Sequence, residues 1–328
     1  MRLGERARSF DQVGPWLRRN GWIVGLLVFL AVLLVFTKLI QPRFDAISVQ
    51  SVAISALPLA FAAVGQAICV IGGGIDLSVG SMMALTSVVA ATQMKGQSEE
   101  YAVAVVLGVL VLGIVLGAIN GSLIVLTRIP DIVVTLAMSF VWAGAALLVI
   151  AFPGGGSAKW LRDVILGSLG TEWIPKAAIV VVVLVALVWI PLRRSTAGLS
   201  IYAVGSNQLA AFRSGVSVGR TKIVAYALTG LFSALAGLGL TASTGIGTPA
   251  PGPYTLTSVA AIVLGGVSLA GGRGGAFGPI VAVLILQLIR TDTTFIGVDP
   301  NLAIVIQGAI LIGVVMFGSI VQLRRSRR

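Results

Sequence analysis

The segment Gly72-Gly-Gly-Ile-Asp-Leu-Ser-Val-Gly-Ser81 sets a single carboxylate, Asp76, among glycines and serines, between two stretches without Lys, Arg, Asp or Glu, 46–75 and 77–94. Two kinds of chemistry suit such a carboxylate. Asp76 or Ser78 can accept backbone N–H groups from the first turn of a following helix, which is an ordinary cap. Alternatively, the break at Gly73 and Gly74 lines a solute pathway or moves with a gate. Irregular backbone at membrane depth is tolerated where it is buried in protein or lines a cavity, and an ionisable residue inside a membrane marks function by default. The residues alone leave both readings open.

Other polar groups are few. Asn120 stands beside the one-face repeat Gly113-x3-Gly117-x3-Gly121, which allows helices to approach closely; Asn120 then bonds across a helix contact or faces a pathway. Leu264-Gly-Gly-Val-Ser-Leu-Ala-Gly-Gly-Arg-Gly-Gly275 has the look of a phosphate loop but completes neither a Walker A nor a G-x-G-x-x-G pattern, and no Gly-Lys pair occurs in the chain. Arg273 within it is either an anchor at the inner membrane face or a gating contact. There is no His, so the commonest metal ligand and proton shuttle is absent. The single cysteine, Cys69, excludes an internal disulfide.

The elements that position these residues follow from charge spacing. Nine stretches of 16 or more residues contain no charged side chain: 21–37, 46–75, 77–94, 101–127, 132–158, 177–192, 223–272, 274–289 and 300–323. A helix crossing the hydrocarbon needs about 20 mostly apolar residues. The chain is 57% hydrophobic and 10% charged, with a mean hydropathy of +1.04, against about 25% charged in a soluble domain. Stretches such as 179–190 are apolar on every face, which excludes the alternation of a membrane β-barrel. The longest run, 223–272, crosses twice, broken at the Gly/Pro cluster Gly245-Ile-Gly-Thr-Pro-Ala-Pro-Gly-Pro253. The fold class is therefore all-α, a polytopic membrane protein with about ten transmembrane helices: 22–40, 49–70, 77–94, 101–126, 132–152, 177–192, 222–243, 255–270, 275–291 and 301–322.

Charge also orients the chain. With both termini inside, inner loops and tails carry 16 of the 23 Lys and Arg, and outer loops carry seven together with seven of the eleven acids, the bias that orients membrane helices. This places Asn207 in the cytosol and Trp160 outside. The chain divides into a cytosolic N-terminal tail (1–20), one transmembrane domain (21–323) with a cytosolic loop at 193–222, and a basic cytosolic tail (324–328). The net charge of +12 sits at the ends and in this loop, so nucleic acid is not the partner; the lipid bilayer is. Loop 193–222 is long for a connection between adjacent spans, and such loops are usually functional. Asn207 is a good helix start and Gly215 a good stop. Between them a short helix carries Leu209, Ala210, Ala211, Phe212 and Arg213, an object for a cytosolic partner to grip; the small Ala210 and Ala211 suit close docking. Finally, Gly73-Gly-Ile-Asp-Leu-Ser-Val-Gly80 faintly echoes Gly265-Gly-Val-Ser-Leu-Ala-Gly-Gly272, as in transporters built from repeated halves.

Jointly, five segments resemble the permease subunits of bacterial ABC importers for monosaccharides, the ribose, xylose, arabinose, galactose and autoinducer group. They are the 73–81 segment, Asn120-Gly121, Thr135-Leu136, Ala203-Val-Gly-Ser-Asn-Gln-Leu-Ala-Ala-Phe-Arg-Ser-Gly-Val216, and Ala260-Ala-Ile-Val-Leu-Gly-Gly-Val-Ser-Leu-Ala-Gly-Gly-Arg-Gly274. The resemblance covers roughly 45–320. It implies a multi-pass protein of the bacterial inner membrane, paired with a second permease subunit as a homo- or heterodimer. Cytosolic ATP-binding subunits would dock on the 207–215 helix, and an extracytoplasmic sugar-binding protein would deliver the solute. The chain itself would be no enzyme and bind no cofactor or metal; ATP and Mg would belong to the partner ATPase. Pro130-Asp131, Thr255-Leu256 and Ser206 depart from the usual Pro-Phe, Glu-Leu and Gly. The rival is a secondary transporter driven by an ion gradient. It would need carboxylates or His inside spans, and Asp76 is the one candidate the expected spans offer. An intramembrane enzyme would need converging acidic, His or Ser/Lys groups, which the spans lack.

Overall fold

The computed structural model describes residues 4–250 and 252–299, with scattered helical positions between 302 and 316. Of the expected span 301–322 only those scattered positions are described, and the tail 324–328 lies outside the described residues. Helix α1 (Gly4–Ile40) is followed by α2 (Ala46–Ile71), α3 (Val79–Met94), α4 (Glu99–Thr127), α5 (Asp131–Val149) and α6 (Lys159–Ile165). A hairpin, β1 (Ser168–Leu169) and β2 (Thr171–Pro175), leads into α7 (Lys176–Arg194), α8 (Thr196–Ser206) and α9 (Gln208–Arg213). Then come α10 (Val218–Thr244), α11 (Tyr254–Leu264) and α12 (Phe277–Phe295). The all-α expectation holds apart from that hairpin, which turns on Gly170 at φ 75°. The helical backbone of α1 also begins at Gly4, within the stretch read as a tail.

Among the described residues seven helices are long and apolar enough to cross a membrane, so the chain is a multi-pass membrane protein. They are α2, α4, α5, α7, α10, α12 and the Gly21–Ile40 part of α1. Two expected spans are short instead. α3 has 16 residues and α11 only 11, or about 24 and 16 Å at 1.5 Å per residue. The cause is the glycine and proline punctuation around them. α10 ends at Gly245, whose φ of 80° suits glycine. The chain then pairs Gly247 with Gly154 through two hydrogen bonds (3.1 and 2.7 Å) and gives the Thr248 N–H to Ser87 Oγ (3.4 Å). By Thr255 it has reached Gly80, whose N–H donates to Thr255 Oγ1 (3.0 Å). From Ser87 to Gly80 is about two turns of α3, so the chain has travelled roughly 10 Å down α3 before α11 begins. That descent is why α11 is short.

Burial separates centre from periphery. In the most apolar stretch, 89% of α2 is buried inside the chain, against 17% for α5 and α7 and 11% for α1. α2 can be central because from Ala56 to Ile71 every residue but Gln66 is apolar, which marks a buried helix. Its start is fixed by a capping box in which Asp45 accepts from the Ser48 N–H (2.9 Å) and the Asp45 N–H donates to Ser48 Oγ (3.4 Å). α10 packs on α2, α3 and α4. Its contact with α4 settles the Gly113, Gly117, Gly121 face as a packing surface. A Cβ at Gly113 would meet Gly230, one at Gly117 the Tyr226 carbonyl, and one at Gly121 the backbone of Ile223. Small residues let the two backbones touch, as in other membrane helix pairs.

Candidate functional site

Asp76 is fully buried in the break between α2 and α3. Its Oδ1 accepts from the Ser78 N–H (2.8 Å) and the Ser78 hydroxyl (2.6 Å). Ser78 is the N-cap residue of α3, but its side chain makes no cap bond. The capping reading is therefore corrected: Asp76 folds its own loop in an Asx turn, because its oxygen reaches the N–H two residues on rather than the helix's first turn. Ser78 Oγ in turn accepts from Asn120 Nδ2 (2.7 Å), and Trp142 Nε1 donates to Asn120 Oδ1 (3.2 Å). The chain Asp76–Ser78–Asn120–Trp142 thus joins the break to α4 and α5. Asp76 Oδ2 has no hydrogen-bond partner among the described residues.

The rest of the break is held as firmly. The Leu77 N–H donates to Thr135 Oγ1 (3.1 Å) and the Tyr226 hydroxyl to the Ile75 carbonyl (3.4 Å). Gly73 has φ 82°, where a side chain would be strained. At Gly74 a Cβ would stand 2.6 Å from the Tyr226 hydroxyl and 2.8 Å from the Asp131 carboxylate. That carboxylate, at the start of α5, pairs with Lys222 on α10 at 3.3 Å. Tyr226, Trp142 and the Asp131–Lys222 pair were not foreseen. Asp131 and Lys222 are 91 residues apart, and no local pattern links them.

The second glycine-rich segment, between α11 and α12, lies against the first. The Gly272 N–H donates to the Ile71 carbonyl (2.9 Å). Gly271 packs on Gly73 and on Gly205 of α8: a Cβ at Gly271 would stand 2.6 Å from the Gly205 carbonyl, and one at Gly205 would overlap the Ile71 carbonyl. The sequence echo is thus a physical contact of two breaks, with Gly205 seated between them. Arg273 does not join the polar network: it is exposed, and its carbonyl accepts from the Ser268 N–H (3.1 Å). α8 is also tied to this segment by the Tyr202 hydroxyl, which donates to the Gly274 carbonyl (2.8 Å); burial pushes the Tyr202 phenol above its ordinary range.

α8 leads directly into α9. Asn207 caps α9 by accepting from the Ala210 N–H (2.9 Å), and Gly215 follows it at φ 82°, as the sequence suggested. α9 exposes Leu209 (59%) and Phe212 (67%), while Asn207, Ala210, Arg213 and Gly215 are also exposed. Ala211 differs from the expectation of an exposed small residue: it is 5% exposed and packs within its own chain. One further carboxylate was missed. Asp292 lies inside α12, which runs four residues beyond the expected end at 291, and is 4% exposed with neither oxygen hydrogen-bonded among the described residues. Among these residues no cluster of His, Cys, Asp and Glu could hold a metal.

The fold and site define a multi-pass helical membrane protein in which an exposed helix is wired to two broken spans. The chain belongs to the family described as branched-chain amino acid transport system / permease component, whose model matches residues 48–315. It is 32% identical over 327 residues to the ribose import permease protein RbsC of Bacillus subtilis (92% of each chain). It is 31% identical over 331 residues to the galactose/methyl galactoside import permease protein MglC of Salmonella typhimurium (94% of this chain, 96% of that one). It is 30% identical over 325 residues to the autoinducer 2 import system permease protein LsrD of Escherichia coli (94% and 95%). No solved structure matches the chain significantly.

Proposed function

We propose that this chain is the permease subunit of an ATP-driven importer in the bacterial inner membrane, with both termini cytoplasmic, and that its solute is a neutral monosaccharide or a similar small polar molecule. The relatives in the preceding section carry the solute class; the family description alone would equally admit amino acids. One structural observation supports the drive mechanism. Exposed α9 continues α8, and α8 seats Gly205 and Tyr202 against both glycine-rich breaks. A cytosolic ATPase gripping Leu209 and Phe212 would push on α8 and so on the backbone at Gly73, Gly74 and 271–274. A second permease subunit would complete the pathway, and an extracytoplasmic binding protein would supply the solute. ATP and Mg are used by the partner.

Asp292, buried near the end of α12, favours a second reading, a transporter working alone on an ion gradient, since intramembrane carboxylates carry protons or sodium in such proteins. One experiment separates the two. The chain is co-expressed with a candidate ATPase subunit and binding protein, and labelled monosaccharides and branched-chain amino acids are offered to proteoliposomes. ATP-dependent uptake of a monosaccharide that survives collapse of the ion gradient is the expected result. Uptake by this chain alone, driven by a pH or sodium gradient, would overturn the reading.

A further inference from the structure

α2 and α12 each carry an uncharged polar stripe that the breaks do not use. Ser48, Ser51 and Ser55 recur at spacings of three and four on α2, and Gln287 and Thr291 at a spacing of four on α12; both intervals put residues on one helix face. The stripes face each other across an open cleft of about 320 Å³, also lined by Phe44, Val52 and Phe295. Small-ligand sites begin at about 300 Å³. The cavity enters from the end of the molecule where α2 starts and α12 stops, the end that also carries the β1–β2 hairpin, bound to α2 by Gln50 Nε2 donating to the Glu172 carbonyl (2.8 Å). From Ser48 to Ser55 it penetrates about 10 Å into the span.

The lining has a specific chemistry. It holds no charged side chain. Lys38, on the chain leading to Phe44, donates to the carbonyls of Pro42 and Phe44 (2.8 Å each). Three hydroxyl protons are already used: Ser48 donates to Asp45, Ser51 to the Ile47 carbonyl and Thr291 to the Gln287 carbonyl. The Ser51 and Thr291 oxygens remain acceptors, while Ser48 Oγ already takes the Asp45 N–H. Ser55 and the Gln287 amide make no side-chain hydrogen bond among the described residues, so a hydroxyl and an NH₂ remain as donors. Such groups are costly against lipid and suit a wet or liganded space. Donors and acceptors in one uncharged cavity, flanked by two phenyl rings, match a molecule with many hydroxyls and an apolar C–H face.

We infer that this cavity is a binding chamber for a neutral polyhydroxylated solute, entered from the hairpin end of the membrane domain, with Ser55 and Gln287 as its principal hydrogen-bonding residues. This rests on the import reading and adds to it a place where the permease itself holds the solute. The test uses the assembled transporter in proteoliposomes. Ser55→Cys, in a Cys69→Ser background, should react with a water-soluble thiol reagent. D-ribose, D-galactose and the other neutral monosaccharides of the uptake panel should be offered alongside, with glucose 6-phosphate as the charged contrast. The monosaccharide that is transported should slow the modification about tenfold, and the sugar phosphate should not. Gln287→Leu should raise KM for uptake by about tenfold, equivalent to about 1.4 kcal/mol, in a complex that still assembles; Gln287→Asn should restore part of it. A Cys at 55 that stays unreactive, or reacts at the same rate with the transported sugar present, overturns the chamber even if Gln287→Leu misfolds. Absence of any ATP-driven sugar uptake by the wild-type complex would instead overturn the import reading.

Discussion

Asp76 uses one oxygen for two bonds from Ser78 and leaves the other unpaired in a fully buried setting. An Asn at this position keeps the Oδ1 acceptor and removes a charge that is expensive to bury. Asp76→Asn is therefore expected to insert, to melt no lower than wild type in detergent, and to keep most ATP-driven uptake. A well-folded Asn variant without transport would show that the charge itself takes part in gating. Ser78→Ala is the harsher change, because it leaves Asn120 Nδ2 without its 2.7 Å partner. An unsatisfied buried donor costs about 1–3 kcal/mol, so this variant should lose several degrees of thermal stability even though it only deletes a hydroxyl.

At the scale of an element, α9 has two faces with opposite expected responses. Leu209 and Phe212 are exposed and Ala211 is buried. Phe212→Glu should leave folding alone and place an unpaired charge in the ATPase contact. Such a burial costs several kcal/mol, and about 1.4 kcal/mol is tenfold in affinity, so co-purification with the ATPase should fall by orders of magnitude. Ala211→Glu should instead destabilise the permease, seen as a lower melting temperature of the isolated chain. Equal ATPase binding by wild type and Phe212→Glu would remove α9 from the coupling contact.

For the whole molecule, the ends of α3 fix the geometry of any topology test. At its C-terminal end Gly156 donates to the Ala91 carbonyl (2.9 Å), and the following residues reach α4, where the Trp160 N–H donates to Glu99 (3.2 Å). At its N-terminal end lie the breaks and α8. Positions 159 and 207 thus belong to opposite ends. With Cys69 replaced, an impermeant thiol reagent applied to intact cells should label Lys159→Cys and spare Asn207→Cys. The reverse pattern would invert the orientation and dismiss α9 as a cytosolic contact.

What could be read without a structure was whatever charge and local spacing control. Long uncharged runs forced membrane helices, since lipid leaves backbone groups no partner but each other. The Asn207 and Gly215 signals delimited α9, and the Gly113, Gly117, Gly121 spacing announced close packing, because caps and small-residue faces depend on a few neighbouring residues. The sequence could not measure α11, whose shortness comes from a chain descending along α3. It could not assign Ala211 to the inner face of α9, since two adjacent alanines look alike until a neighbour covers one. Nor could it join Asp131 to Lys222, Asp76 through Ser78 to Asn120, or Gly205 to Gly73 and Gly271. Those contacts cross long sequence separations, and they form only when α2, α10 and both breaks have packed, so the tertiary structure alone decides which polar groups meet.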